Sequence, residues 1–335
     1  MGFKRYVGKR LVTMVFVVLF MMTFIFLVIN VIPGDPVLNM VGEDAPQEVV
    51  EAIRRDLGLD APLHIQYFDY LTGLLRGDFG RSFVLGEDVS VLIWQRAGVT
   101  IQLAILAWIF SVAIGILVGR RNARLEGTTE DHVTRLTTLF FYAIPSYVLG
   151  ILAQLVFGVY LGVLPIFGTS SPGVRPPKIT GMILIDALIT LDFGAFINAF
   201  MHFLLPSLVL ASGYAAVTIR LTRSETIQAM KRSYCLLAEA KGISQKEVVN
   251  RHAFRNALLP VVTLTAMQAG ALLTGSVLIE AIFSLNGLGN LLFTAASMRD
   301  YILTQGVVTL FVVINAVVGL FIDISYYYLD PRMRF

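Results

Sequence analysis

Six long stretches of this 335-residue chain contain no Asp, Glu, Lys or Arg, and this pattern restricts the fold more than any other feature. Each stretch has at least 22 residues; they are 11–34, 97–119, 136–174, 193–219, 256–279 and 301–322. An α-helix needs about 20 apolar residues to cross a bilayer. Charged residues make up only 15% of the chain, whereas soluble proteins carry about 25%. The sequence therefore predicts an all-α polytopic membrane protein with six transmembrane helices, and it excludes a soluble enzyme, a nucleic-acid binder and a disordered chain.

The basic residues predict the orientation of these helices. If the N-terminus is cytoplasmic, the segments on that side hold 18 of the 26 Lys and Arg residues. Acidic residues show the reverse bias, with eleven between positions 35 and 88. Because Lys and Arg favour the cytoplasmic side, we expect both termini in the cytoplasm. The stretch 11–34 is longer than the apolar core of a signal peptide, about 7–15 residues, so we expect a retained first helix.

Turn residues and apolar periodicity divide the chain into three parts. Residues 1–32 would hold the N-terminus and the first span. Residues 33–95 would form an external segment with two short amphipathic helices, or alternatively a plain connecting hairpin. Residues 96–335 would form a core with five more spans, near 97–119, 136–160, 199–219, 257–279 and 303–328.

Prolines modify two of these spans and the segment between them. Pro145 lies inside the third span and Pro206 inside the fourth, where a hinge and an ordinary packing kink are equally compatible with the sequence. The external stretch 165–198 is Gly- and Pro-rich at its start, so we expect the stretch to be irregular.

The chain lacks the sequence signatures of catalysis. Its one cysteine, Cys235, excludes a disulfide framework and a CxxC pair, and its four histidines are scattered. It contains no G-x-x-x-x-G-K-[ST] motif, so we expect no nucleotide, metal or other cofactor in this chain.

Ionisable residues within the spans are few. They are His202, Glu280 and Asp323, each toward the end of a span, and Asp323 is expected to lie deepest, with Asn315 facing the same interior. Hydrogen bonds that lock helix packing explain Asn315 and Asp323 better than an ion-coupling relay does. We therefore expect the energy source to lie in another chain.

A cytoplasmic loop, residues 220–257, is the most informative segment. Residues 220–260 carry eight basic and three acidic residues. Residues 234–240 suit a helix, Gly242 interrupts it, and Ser244 can cap a second helix. A short amphipathic helix at a membrane surface suits docking into a groove of a partner. A solvated basic loop held by lipid headgroups is the alternative.

The motifs in this loop resemble the "EAA" loop of ATP-binding-cassette (ABC) importer permeases. Ala238-Glu239-Ala240-Lys241-Gly242 is followed by His252-Ala253-Phe254-Arg255-Asn256, a form similar to the first permease subunit of the dipeptide/oligopeptide/nickel branch. The resemblance continues along the chain in Pro33-Gly34-Asp35-Pro36, Leu57-Gly58-Leu59, Gly77-Asp78-Phe79-Gly80, Glu280, Gly287-Leu288-Gly289 and Asp330-Pro331-Arg332.

This resemblance implies a type I ABC importer permease fold and assigns roles to individual residues. The coupling loop to an ATPase would comprise Tyr234, Ala238, Glu239, Ala240, Lys241, Gly242, Ser244, His252, Arg255 and Asn256. For Lys241, His252 and Arg255, bracing of the loop and contact with the partner have equal weight. Gly287, Leu288 and Gly289 would form an external gate or contact the solute-binding protein, or else a simple turn.

The resemblance also implies the partners. They would be a second homologous permease subunit, two ATPase subunits that bind ATP and Mg²⁺, an external solute-binding protein and membrane lipids, but no nucleic acid. The chain itself would not be an enzyme. Peptides are the expected substrates, with oligosaccharides or nickel as alternatives. A secondary carrier or channel and a non-transporting scaffold are the rival functions.

Overall fold

The computed structural model describes residues 3–31, 37–38, 42, 44–56 and 58–329, and every structural statement below refers to these residues. The predicted motif residues at 33–36, 57 and 330–332 lie outside them. The described residues form α-helices joined by turns, and the extended pairing among them is an isolated bridge between Arg81 and Asp88. The all-α class predicted from the uncharged stretches is confirmed.

Five helices are long and apolar enough to cross a membrane, and there are six spans if a bent pair of helices is counted as one. The helices are α1 (Phe3–Val31), α2 (Gln47–Asp56), α3 (Leu63–Leu75), α4 (Val89–Arg124), α5 (Thr129–Ala143), α6 (Ser146–Ala153, continued by the π-helical segment Gln154–Tyr160), α7 (Ile183–Ile189), α8 (Phe193–Met230), α9 (Ser233–Ala240), α10 (Gln245–Glu247, continued by the π-helical segment Val248–Ala253), α11 (Phe254–Gly275), α12 (Val277–Ile282), α13 (Leu288–Ser297) and α14 (Tyr301–Leu329). The spans are α1, α4, the α5–α6 pair, α8, the run from α10 to α11, and α14.

The third span is broken next to Pro145. The axes of α5 and α6 differ by 103°. Ile144 has an extended backbone conformation, and Pro145 precedes the first residue of α6. A proline disfavours the helical conformation in the residue before it, which explains why α5 ends here. The span expected near 136–160 therefore starts earlier and consists of two helices.

Other boundaries also differ from the expected ones. The fourth span, expected at 199–219, is part of the 38-residue α8, and the fifth, expected at 257–279, ends at Gly275 before the separate helix α12. A charged residue ends an uncharged stretch but does not end a helix. The uncharged stretch 193–219 therefore covers only the part of α8 that is compatible with the membrane, and the helix continues beyond it. The expectation of irregular structure over 165–198 is wrong at its end, where α7 and the start of α8 are helical.

The helices α4 and α8 form the central pair of the bundle. A Cβ atom at Gly115 would clash with Cγ2 of Thr218, and one at Gly119 would lie 2.6 Å from Cβ of Thr222. Glycines four residues apart let two backbones approach closely, as is common between membrane helices. Because Gly115 precedes Gly119 as Thr218 precedes Thr222, α4 and α8 run in the same direction.

The bundle has two distinguishable ends. We call the end that carries α9 and α10 the loop end; there Arg120, near the end of α4, stacks on Phe254. We call the other end the distal end; it carries α2, α3, α7, α12 and α13. The helix α1 packs mainly along α14, and little of its surface is buried, as expected for a helix surrounded by lipid.

Candidate functional site

The loop between α8 and α11 has the helix–glycine–helix form that its sequence predicts. The amide of Gly242 donates to the Glu239 carbonyl (2.8 Å), and the amide of Ile243 donates to the Ala238 carbonyl (3.3 Å). These two bonds form a Schellman motif, which ends α9 and requires a left-handed residue. Gly242 supplies it with a φ of +82°. Ser244 then caps α10 by accepting a hydrogen bond from the Glu247 amide.

A small apolar core holds this loop in shape. It consists of Ala229, Cys235, Ala238, Val248 and Ala253, with Met230 and Ile243 packed against it. Burial raises the pKa of the Cys235 thiol. Since the core joins both sides of the loop to the end of α8, the loop and α8 must move together.

The outer face of α9 is apolar and exposed. Leu236 and Leu237 are 54% and 58% exposed, and Tyr234 beside them is also exposed. The EAA-type resemblance pointed to Tyr234 but not to the two leucines. The sequence signal that could have found them is an apolar pair in a loop otherwise rich in charge.

The other predicted coupling residues divide by exposure. Ala238 is buried in the loop core, and His252 is half-buried. Asn256 donates from Nδ2 to the His252 carbonyl at 2.8 Å, which braces the start of α11. The exposed residues are Glu239, Ala240, Lys241, Gly242, Ser244, Arg255 and Asn256.

Two contacts tie the loop end to neighbouring spans. Arg223 on α8 forms a bidentate ion pair with Asp131 on α5, with both N–O distances 2.6 Å. Asp131 is only 1% exposed, so this pair is well shielded from water. The guanidinium of Arg120 lies 5.4 Å from the ring centre of Phe254. These contacts join α8 to α5 and the start of α11 to α4.

At the distal end, Glu280 is fully buried and accepts hydrogen bonds from Ser276, which precedes α12, and from the start of α13. Its carboxylate accepts hydrogen bonds from the Ser276 hydroxyl (2.8 Å) and from the amides of Gly289 (2.8 Å) and Asn290 (3.2 Å). Thr100 on α4 accepts a hydrogen bond from the Leu288 amide at 2.7 Å. The amides at the start of α13 thus meet a carboxylate, which suits the positive end of a helix dipole.

This arrangement explains the two glycines of the predicted gate segment. A Cβ atom at Gly287 would lie very close to the Glu280 carboxylate, and one at Gly289 would lie 2.6 Å from Cα of Val277. Gly287, Leu288 and Gly289 are buried within this chain. The segment is therefore a packed helix start rather than a free loop, and any gate or partner contact made through it must involve movement of α13.

The intramembrane polar residues have different environments. The side chain of Asp323 is 29% exposed and forms an ion pair with Arg10 of α1 at 3.2 Å, whereas Glu280 is buried. The two helix ends meet here, since the Tyr6 hydroxyl also donates to the Asp323 carbonyl. Asn315 donates from Nδ2 to the Phe311 carbonyl of its own helix.

The sequence matches one family over almost its whole length. The family described as "Binding-protein-dependent transport system inner membrane component" matches residues 111–335, and its N-terminal counterpart, "Binding-prot-dependent transport system membrane comp, N-term", matches residues 3–104.

Several curated relatives are similar over nearly their full length. The Dipeptide transport system permease protein DppB of Alkalihalophilus pseudofirmus is 33% identical, with 98% of this chain and 99% of the relative covered. The Glutathione transport system permease protein GsiC of Salmonella choleraesuis is 34% identical with the same coverage. The Di/tripeptide transport system permease protein DppB of Pseudomonas aeruginosa is 38% identical, with 92% of each chain covered.

Proposed function

This chain belongs to the family of binding-protein-dependent transport system inner membrane components, and we propose that it is the permease subunit of an ABC importer that carries di- and oligopeptides across the cytoplasmic membrane. The substrate class is supported by the relatives, whose names specify dipeptides, di/tripeptides and glutathione. All three are short peptides or peptide-like molecules.

The proposed importer has several subunits. This chain would pair with a second homologous permease to enclose the pathway, and two ATPases would bind ATP and Mg²⁺ and supply the energy. An external solute-binding protein would deliver the peptide. In this arrangement the chain catalyses no hydrolysis; its residues form the pathway and transmit movement.

The observation that carries the proposal is the exposed apolar face of α9. Tyr234, Leu236 and Leu237 stand on a helix that is fixed from behind by buried Cys235 and Ala238. A rigid helix that presents apolar side chains is suited to a hydrophobic groove in a partner, here the ATPase. The ion pair between Asp131 and Arg223 would then pass the movement of the ATPase to the spans.

Replacement of Leu236 with aspartate tests this assignment. Loss of an apolar anchor worth about 1.5–3 kcal/mol should reduce the amount of ATPase that co-purifies with the chain by at least about tenfold. Uptake of a labelled dipeptide should fall with it. Leu75→Asp is the matched control, because Leu75 is an even more exposed leucine at the distal end.

The outcomes separate the rival functions. Equal ATPase recovery with both variants would refute docking through α9. Uptake that persists in liposomes without ATPase or ATP would favour a secondary carrier. Competition of the dipeptide uptake by peptides, but not by oligosaccharides or nickel, would fix the substrate class.

A further inference from the structure

A cavity of about 360 Å³ at the distal end, lined neither by the docking loop nor by Glu280, is left without a role by the proposed function. It lies between the last turn of α1, the helix α3, the turn that follows α3 and the first turns of α14. The volume suits a small organic group rather than a single water molecule.

Aromatic rings form much of the wall of this cavity. Phe26 stacks on Tyr70, with ring centres 5.9 Å apart, and Phe79, Phe83 and Tyr301 complete the aromatic lining. The faces of aromatic rings carry negative partial charge and attract cations, organic ammonium groups in particular.

The polar groups that line the cavity are mainly acceptors, because most donors are already used. Asn30 donates from Nδ2 to the Phe26 carbonyl, and Gln66 donates from Nε2 to the carbonyls of Leu59 and Ala61. Their amide oxygens and the carboxylate of Asp69 accept no hydrogen bond from the described residues. Asp78 uses one oxygen to accept from the Gly80 amide.

Charge in the cavity has one sign. Asp69 and Asp78 line it, and no described Lys, Arg or His does. One further donor is available, since Nε2 of Gln305 is buried next to the Tyr70 hydroxyl and makes no hydrogen bond of good geometry with the described residues. The cavity therefore matches a cationic donor that carries an oxygen acceptor a few bonds away.

We propose that this cavity binds a primary ammonium group, supplied by the headgroup of an aminophospholipid. The ammonium would donate to Asp69 and lie against the aromatic rings, and the phosphate or ester oxygen would accept from Gln305. The free amino terminus of a peptide has the same chemistry, with its first carbonyl as the acceptor.

The position of the cavity favours the lipid as the source. The cavity adjoins the last turn of the apolar helix α1, where a bilayer-spanning helix reaches the headgroups. The neighbouring helix α3 exposes Leu63, Ile65 and Phe68, as expected of a helix that lies on a membrane surface.

Lipid retention by the assembled importer tests the proposal. The complex is placed in nanodiscs of phosphatidylglycerol alone, or with phosphatidylethanolamine or phosphatidylcholine added, and native mass spectrometry counts the lipids retained after transfer to mild detergent. We expect retention of phosphatidylethanolamine above the other two, since a quaternary choline cannot donate hydrogen bonds to Asp69.

Variants then assign the retained lipid to this cavity. Asp69→Asn should lower the retention of phosphatidylethanolamine about tenfold, the loss expected for one charge-assisted hydrogen bond. Asp69→Lys should abolish it, because the lysine brings its own ammonium, and Gln305→Leu should reduce it. Asp44→Asn is the control, since Asp44 is an exposed aspartate of the same external segment that does not line the cavity.

A peptide arm distinguishes the two sources. If a dipeptide with a free amino terminus, but not its acetylated form, binds the lipid-depleted complex in an Asp69-dependent way, the ammonium site stands and its ligand is a peptide. If neither phosphatidylethanolamine nor the dipeptide shows binding that depends on Asp69, the proposal is wrong. Equal melting temperatures of the Asp69 and Asp44 variants would exclude misfolding as the cause of any loss.

Discussion

The hydrogen bonds around Glu280 lead to a prediction whose size follows from the structure. Glu280→Ala removes the acceptor of the Gly289 and Asn290 amides and of the Ser276 hydroxyl. The hydroxyl can rotate toward another acceptor, and it already donates to the Leu273 carbonyl. The two amides are fixed by the backbone and cannot turn toward another acceptor.

The expected cost is dominated by these amides. Each buried amide without an acceptor costs about 1–3 kcal/mol, so the variant should lose about 2–6 kcal/mol of unfolding free energy. Glu280→Gln should cost much less, about 1 kcal/mol, because its Oε1 can still accept from the amides while its Nε2 donates to Ser276. The informative result is that the Ala variant loses more unfolding free energy than the Gln variant.

Unfolding with increasing sodium dodecyl sulfate in mixed micelles measures this difference. Fluorescence of the two tryptophans follows unfolding; Trp94 is already exposed, so the change comes mainly from Trp108, whose Nε1 donates to the Thr265 carbonyl at 2.7 Å. Glu87→Ala is the control, because Glu87 is an exposed glutamate in a turn. Stabilities of the Ala and Gln variants within about 0.5 kcal/mol of each other and of the wild type would refute the view that the carboxylate holds α13.

Three further predictions concern the spans and the loop. Gly115→Leu should separate α4 from α8 and lower the melting temperature of the purified chain by several degrees, through an overpacking cost of about 1–3 kcal/mol. Gly319→Leu is the control, because Gly319 has open space around it, and equal melting temperatures of the two variants would contradict the close contact. Cys235 should react with a maleimide at least about tenfold more slowly in the folded chain than in detergent-denatured chain, because it is buried and its pKa is raised, so little thiolate forms at neutral pH; rapid labelling would show that the loop core opens. Asp323→Asn should leave peptide uptake within about twofold of wild type, since its ion pair with Arg10 is partly exposed and worth about 1 kcal/mol or less; abolished uptake in a folded, assembled variant would instead favour ion coupling.

Local features of the chain were predictable from the sequence because their causes are local. The bend at Gly242 and the cap at Ser244 depend on residues within a few positions of each other, and both occur where the sequence places them. The six spans depend on the composition of each stretch alone. Pro145 marked a candidate hinge, but the angle between α5 and α6 depends on the helices that pack against them.

The environment of Glu280 could not be predicted in the same way. Thr100 lies 188 positions from Leu288, and nothing in either residue signals the contact. The ion pair of Asp323 was unpredictable for the same reason, since its partner Arg10 comes from the opposite end of the chain. Between α6 and α8, the prolines near 172–177 predicted irregular structure, whereas the apolar run that follows them forms α7.

The length of α8 has a mechanical consequence. Its 38 residues extend about 57 Å at 1.5 Å per residue, nearly twice the roughly 30 Å of membrane hydrocarbon, and the helix continues through Pro206 without a break. A tilt of about 10° around its midpoint moves each end by about 5 Å in opposite directions. A helix that moves as one rigid body would therefore carry a displacement of a few ångströms from the loop end to the distal end, in the opposite direction. No chain of side-chain rearrangements is needed to carry the signal across the bilayer.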